Sequence, residues 1–240
     1  MKSKDFIARL QSIVYNYKTV YMLGCFGHVV TEKIIAEKAK QLPNWYTAAK
    51  QAELRKLVGK GYFAFDCVNL IKGVLWGWCG DLNSAYGGSK YNSNGVPDTN
   101  ADGMIKLCKD VSTDFSNILP GEAVWIPGHI GVYIGDGLVI ESTPAWDNKV
   151  QITSCLNVKN GTPGRKWDKH GKLPWIEYEI EQPRQMDWKE IIRLAADSPE
   201  RWEQAITVAV SAAKAEGDLG PLEVFKYLPE LIVKIYNSPR

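Results

Sequence analysis

A tight β-hairpin is predicted around the dipeptide Asp136-Gly137. Two short apolar runs, 130–134 and 138–141, lie on either side of this dipeptide, with Gly135 between the first run and Asp136. Asp-Gly between apolar runs indicates a two-residue turn, because both positions of such a turn need a positive φ angle that these residues tolerate. The turn would return the chain so that Glu141 lies beside the region of His129. The sequence therefore predicts an antiparallel strand pair that brings an acid close to an imidazole.

Helical periodicity dominates the chain before this hairpin. The helices predicted from apolar spacing lie at about 4–17, 31–41, 45–58, 67–78 and 101–109. The polar stretch 81–100 is rich in Gly, Asn and Ser and predicts a long surface loop. Short strand patterns also occur at 123–126 and 150–152. A helical half followed by an antiparallel β half predicts an α+β fold.

The composition changes near residue 185, which predicts a boundary between a domain at 1–184 and a smaller module at 185–240. The second segment contains neither Cys nor His and carries helical patterns alone. Ser198-Pro199-Glu200 is a helix-start signal, and Gly217 is suited to end the helix that follows. Three short helices are marginally stable by themselves. We therefore expect this three-helix module to dock on the N-terminal domain or to self-associate.

Composition and charge exclude several classes of protein. The 240 residues carry a formal net charge of +2, and no basic patch favours nucleic acid. No apolar run approaches the roughly 18 residues that span a bilayer, so no membrane insertion is expected. The N-terminal segment has the pattern of an amphipathic helix and not of a signal peptide. The five Cys and three His lack zinc-site spacing, so neither a metal nor another cofactor is predicted.

Cys67 is the first candidate for chemistry, because it stands where a loop turns into an apolar helix. Backbone N–H groups and the positive end of the helix dipole at such a position favour the thiolate and lower the pKa of the thiol. The same N–H groups can hold an oxyanion. Asp66 before it can cap the helix or meet a substrate amine. The alternative is a buried structural cysteine.

His129 and Glu141 would complete a set of nucleophile, base and orienting acid. A histidine at the start of a strand and flanked by Gly128 can reach into a groove, and a carboxylate across the hairpin would orient its ring. The alternatives are a structural histidine and an exposed strand glutamate. Of the other two histidines, His28 is interpreted as structural, and His170, in a polar stretch, as solvated.

The residues around these three positions resemble the NlpC/P60 family of cysteine peptidases. The resemblance rests on Asp66-Cys67, on Pro120-Gly121-Glu122, and on the strand 128–135, which reads Gly-His-Ile-Gly-Val-Tyr-Ile-Gly. Tyr21 resembles a family tyrosine that precedes the nucleophile and lies near it. The chain continues Val68-Asn69 after Cys67, where the family usually has Ser-Gly. The family's third polar position, which aligns with Glu141, is more often His, Asn or Gln than Glu.

This resemblance implies a papain-like domain that hydrolyses peptidoglycan with Cys67, His129 and Glu141 as catalytic residues. Tyr21, Asp66 and Trp146 are then expected to contact the substrate. A D-glutamyl-diamino acid endopeptidase is favoured; the alternatives are an N-acetylmuramoyl-L-alanine amidase with the same residues and a non-catalytic cell-wall binding protein.

The arrangement with a helical C-terminal module is similar to phage or prophage endolysins of Gram-positive hosts. Such an enzyme would be made in the bacterial cytoplasm without a signal peptide and would reach the wall after a holin releases it. Its partner would be bacterial peptidoglycan, without nucleic acid. The module at 185–240 would bind the wall or form a homo-oligomer.

Overall fold

The structure, a computed structural model, describes residues 1–178. The predicted three-helix module at 185–240, and the last few residues of the predicted domain 1–184, lie outside the described residues. The α-helices within 1–178 are α1 (Ser3–Asn16), α2 (Glu32–Gln41), α3 (Ala48–Arg55), α4 (Cys67–Leu75) and α5 (Ala101–Leu107). The strands there are β1 (Lys18–Tyr21), β2 (Phe26–Val29), β3 (Tyr62–Phe65), β4 (Lys109–Ser112), β5 (Ala123–Ile126), β6 (His129–Gly135), β7 (Leu138–Thr143), β8 (Lys149–Cys155), β9 (Gly164–Arg165) and β10 (Lys169–Lys172).

The strands form two sheets. The smaller sheet has the order β1-β3-β2, in which β1 is parallel and β2 antiparallel to the central strand. The larger sheet has the order β4-β10-β5-β6-β7-β8-β9 and is antiparallel except for the last pair. Most of the larger sheet is a meander from β5 to β8, so neighbours in sequence are neighbours in space.

The predicted hairpin is present as β6 and β7. Asp136 and Gly137 connect the two strands and have φ angles of 52° and 73°. Two successive positive φ angles are the requirement of a type I′ turn, whose twist matches that of the strands it joins. Val132 lies opposite Ile140 in the resulting pair. One further step along this register places Gly131 opposite Glu141.

Helix α4 is the centre of the main core. All nine of its residues are buried, and it packs against β2, β6 and β7. Helix α1 covers the same core through Phe6, Leu10 and Ile13, whose spacing of four and three places them on one helix face. Gly73 allows the close approach of α4 to β2, since a Cβ atom there would lie 2.7 Å from the carbonyl oxygen of Phe26. The helix that begins at Cys67 is therefore held on several sides.

The two ends of the described region are joined to each other. The Ser3 N–H donates to the Glu177 carbonyl at 2.9 Å, and the Glu177 N–H donates to the Met1 carbonyl at 2.8 Å. The Tyr178 hydroxyl donates to the Gly121 carbonyl and accepts from the Leu173 N–H, both at 2.9 Å. The segment after β10 is therefore part of this fold rather than a linker.

The mixed helix and antiparallel-sheet content is consistent with the predicted α+β class. The loop at 81–100 contains no helix or strand, as expected. Two differences concern strands: the sheet β1-β3-β2 lies within the half predicted to be helical, and β4, β9 and β10 have no counterpart among the predicted strands. The helix predicted at 45–58 is shorter, at Ala48–Arg55. In the part of the chain that the structure describes, no helix is long and apolar enough to cross a membrane.

Candidate active site

Cys67 is the first residue of α4, as the sequence predicts, and Asp66 caps that helix. The Asp66 carboxylate accepts hydrogen bonds from the Asn69 backbone N–H at 2.8 Å, from the Asn69 side-chain amide at 2.6 Å and from the Gly24 N–H at 2.7 Å. The carboxylate is buried with these partners, and burial raises its pKa although the same hydrogen bonds oppose the rise. Asp66 therefore has the helix-capping role, one of the two roles that the sequence predicts.

The environment of the Cys67 thiol differs from the expected one. The residue is only 7% exposed. Burial, and then the charge of Asp66, raise the pKa of the Cys67 thiol to about 12, although backbone groups of Ile130, Val68 and Cys67 itself favour the thiolate. The prediction of a lowered thiol pKa is therefore wrong, because desolvation outweighs the helix terminus. A thiolate here requires a base that takes the proton.

His129 and Glu141 are brought together by the hairpin. His129 begins β6, and its Nε2 lies 2.6 Å from Glu141 Oε2 on β7. Residues 129 and 131 of a strand share a face, and position 131 is a glycine. A Cβ atom on Gly131 would lie 3.3 Å from the Cβ of Glu141 and 2.7 Å from Val139 Cγ1. The absence of a side chain at Gly131 therefore leaves room for Glu141 to reach His129 diagonally.

Glu141 is a fully buried carboxylate with three partners. Its side chain is 0% exposed. Besides His129, Thr153 Oγ1 donates to it at 2.6 Å, and Arg165 contacts both of its oxygens, with Nε at 3.2 Å and Nη2 at 2.9 Å. Burial alone would raise the pKa of Glu141, but His129, Thr153 and Arg165 together hold it below its ordinary value. Glu141 is thus kept as an ionised acceptor for the imidazole.

An ionised Glu141 determines which nitrogen of His129 can act as a base. The carboxylate accepts a proton held on Nε2, which leaves the lone pair on Nδ1. Among residues 1–178, Nδ1 makes no hydrogen bond, and none joins His129 to Cys67. The backbone of Ile130, the residue after His129 on β6, is one of the groups that favour the thiolate of Cys67. Catalytic hydrogen bonds in enzymes without substrate are often long and tighten on binding.

Aromatic rings enclose the imidazole and the guanidinium of Arg165. The Trp167 ring stacks on His129, with centroids 5.6 Å apart and planes 15° from parallel. The Arg165 guanidinium lies 5.5 Å from the Trp167 ring and 4.9 Å from the Trp146 ring. A planar cation against ring faces is favourable and is restricted in its orientation. His129, Trp167, Arg165 and Trp146 therefore form one continuous group, named here the Trp–Arg cluster.

Two of the predicted substrate contacts, Tyr21 and Trp146, are connected through one loop, because the Tyr21 N–H donates at 3.0 Å to the carbonyl of Asn148, which follows Trp146 between β7 and β8. Tyr21 ends β1, and burial, followed by the charges of Cys67 and Asp66, raises the pKa of its hydroxyl. Trp146 is 47% exposed and lies in the loop after β7. It borders a surface depression of about 440 Å³, whose other lining residues are Asp147, Gln151, Thr162, Pro163 and Gly164.

The two other histidines are both buried. Burial, followed by the charge of Lys38, lowers the pKa of His28 to about 3, in agreement with a structural role. His170 is also buried, although the sequence predicted it to be solvated. Its Nδ1 contacts Glu122, and its Nε2 lies 2.8 Å from the Asp114 carbonyl oxygen. A polar sequence context did not reveal that β10 lies inside the sheet. No cluster of metal-binding side chains occurs between residues 1 and 178.

Three residues of the site were not found from the sequence. Thr153 follows the alternation of β8, which marks it as inward-facing but gives no reason to connect it with Glu141. Arg165 and Trp167 follow an irregular Gly- and Pro-containing segment, and β9, which places Arg165, is only two residues long. No local pattern in the sequence predicts their position next to the hairpin.

Comparison of the chain with models of protein families and with curated proteins gave no match.

Proposed function

We propose that this chain is a cysteine hydrolase that cleaves an amide bond in the stem peptide of peptidoglycan, from a papain-like catalytic domain. The observation that carries the proposal is the 2.6 Å contact between His129 and a buried, ionised Glu141, formed on the hairpin against which α4 packs, the helix that begins at Cys67. The substrate class comes from the resemblance of these segments to the NlpC/P60 family. A D-glutamyl-diamino acid endopeptidase is the favoured activity.

The mechanism follows from the high pKa of the thiol. His129 Nδ1 accepts the thiol proton as Cys67 attacks the carbonyl carbon, so that thiolate and imidazolium form together. The negative charge on Glu141 stabilises the imidazolium. The Cys67 backbone N–H, at the start of α4, stabilises the oxyanion of the tetrahedral intermediate. His129 then protonates the leaving amine, and water hydrolyses the thioester.

Dye release from purified cell walls tests this function. Cys67→Ala and His129→Ala are each expected to reduce release by at least about 10³-fold, because loss of a nucleophile or of its base removes most catalysis. Cys79→Ala removes an exposed free thiol instead and is expected to match the wild type. A fully active Cys67→Ala variant would overturn the proposed mechanism.

A non-catalytic wall-binding protein is the second candidate, and the burial of Cys67 favours it. Iodoacetamide labelling near pH 7 separates the two, with the exposed Cys79 as an internal reference. If His129 activates Cys67, His129→Ala slows labelling of Cys67 and leaves that of Cys79 unchanged. Equal, slow labelling of Cys67 in both proteins would indicate an inert thiol.

A further inference from the structure

Arg165 contacts the carboxylate of Glu141 at two points and is itself largely shielded from solvent. Its Nε and Nη2 reach the two oxygens of Glu141, and Nη2 also lies 3.4 Å from Thr143 Oγ1. Its side chain is 21% exposed, whereas that of Glu141 is 0% exposed. A buried carboxylate without such a partner would tend to take up a proton, since desolvation disfavours its charged form.

The position of Arg165 is constrained from a second direction. The guanidinium lies against the faces of Trp146 and Trp167, and Trp167 itself stacks on His129. Stacking restricts the guanidinium plane, which keeps the two N–H donors pointed at the carboxylate. The ring that restricts Arg165 therefore also restricts the imidazole that Glu141 orients.

Few groups other than Arg165 can set the charge of Glu141. The charged or titratable groups that contact its carboxylate are His129 from β6 and Arg165 from β9, while Thr153 from β8 offers a neutral hydroxyl. Helix α4 also packs on β7, but its ionisable groups Cys67 and Lys72 make no hydrogen bond or ion pair with Glu141. Arg165 is the one permanent cation among these contacts of the described residues.

We propose that Arg165 is a positioning residue that keeps Glu141 ionised through its two-point contact and thereby holds the proton of His129 on Nε2. The stacked rings of the Trp–Arg cluster keep the guanidinium in place. The catalytic consequence rests on the proposed function, whereas the electrostatic claim concerns only the contacts of Arg165, Glu141 and His129.

The direct test is carboxyl ¹³C NMR of Glu141 in the full chain as pH is lowered, with the resonance assigned by its loss in Glu141→Gln. Arg165→Met keeps a long, unbranched side chain at this position and removes the charge. Its titration midpoint for Glu141 is expected to rise by at least about one pH unit, the usual effect of a lost adjacent charge. Arg165→Lys restores the charge and is expected to return the midpoint most of the way.

Lys166→Gln is the matched control, because it removes one positive charge from the neighbouring exposed position. It is expected to leave the midpoint unchanged. Identical midpoints in Arg165→Met and Lys166→Gln would overturn the proposal. If Arg165→Met does not fold, as judged by circular dichroism, Arg165→Gln is measured in its place with the same two outcomes.

Wall hydrolysis separates this proposal from the proposed function. Arg165→Met is expected to lose at least about tenfold in rate. The acidic limb of its pH profile should move to higher pH, because Glu141 then takes up a proton at a higher pH. A wild-type chain without hydrolytic activity would contradict the proposed function, while the NMR midpoints would still decide the role of Arg165. If Arg165→Met loses activity while its Glu141 titration midpoint equals that of the wild type, the positioning role of Arg165 is overturned.

Discussion

Glu141 is the residue on which most of the site depends, since its carboxylate contacts His129, Thr153 and Arg165. A buried charge of this kind is stable only while its partners remain. The partners come from β6, β8 and β9, so the orientation of one imidazole depends on three different strands. The stability of the fold and the orientation of the His129 ring are therefore linked through a single side chain.

Glu141→Gln is expected to destabilise the protein by about 3 kcal/mol at pH 7, since it leaves Arg165 without its counter-ion in a largely buried place. The folded-state pKa of Glu141 lies below its unfolded value. Its stabilisation is therefore complete above the ordinary Glu pKa of about 4.3 and is lost as pH falls through the lower folded value. Urea denaturation from pH 7 to 3 measures this.

The difference in unfolding free energy between wild type and Glu141→Gln should shrink as pH falls through that window, because protonated Glu141 resembles glutamine. Glu53→Gln, which removes an exposed carboxylate paired with Lys56, provides the control and should differ little from wild type throughout. A difference that stays constant with pH would show that Glu141 is not ionised in the folded protein.

The hairpin of β6 and β7 is the element that brings His129 and Glu141 together. Its tight turn fixes the register, and Gly131 leaves the space through which Glu141 reaches His129. Gly131→Ala is expected to destabilise the fold by about 1–3 kcal/mol, the usual cost of overpacking. It is also expected to reduce activity, because the added methyl group separates Glu141 from His129. Thermal denaturation and dye release measure the two effects.

Val139→Ala removes the Cγ1 atom that an added Cβ at Gly131 would meet at 2.7 Å. In the double variant, part of the stability lost in Gly131→Ala should return relative to the sum of the single changes. Strictly additive losses would show that the contact with Val139 is not the source of the strain.

The hairpin could be predicted from sequence because its evidence is local: Asp136-Gly137 needs no tertiary information. Helix α4 and its cap were predicted for the same reason, from Asp66 and the apolar run after it. The strands β1 and β3 were not, because Lys18–Tyr21 and Tyr62–Phe65 are four-residue segments that are buried almost throughout and show no alternation. Arg165 is placed by a long-range pairing of two residues, for which no local pattern exists.

At the scale of the whole described region, the segment after β10 closes the fold on α1. Tyr178→Phe removes a hydroxyl that bonds the Gly121 carbonyl and the Leu173 N–H. Leaving these backbone groups unpaired is expected to cost about 1–3 kcal/mol without changing the rate per folded molecule. Chemical denaturation measures the loss, with the exposed Tyr15→Phe as the control.

An unchanged unfolding free energy in Tyr178→Phe would show that the closing segment adds little to the fold. All the candidate catalytic residues lie within the region that this segment closes. A truncation before Leu173 is accordingly expected to lose activity by unfolding, even though it removes no residue of the site.

The central claim, that Cys67 attacks an amide bond of the stem peptide, is tested most directly by mass spectrometry of peptidoglycan digested with wild type and with Cys67→Ala. We predict new fragments with a free amine in wild-type digests and none with the variant. An amine on the diamino acid identifies the endopeptidase, whereas release of L-alanine-ended peptides from the glycan identifies the amidase. The same new fragments in both digests, or none in either, would contradict the account.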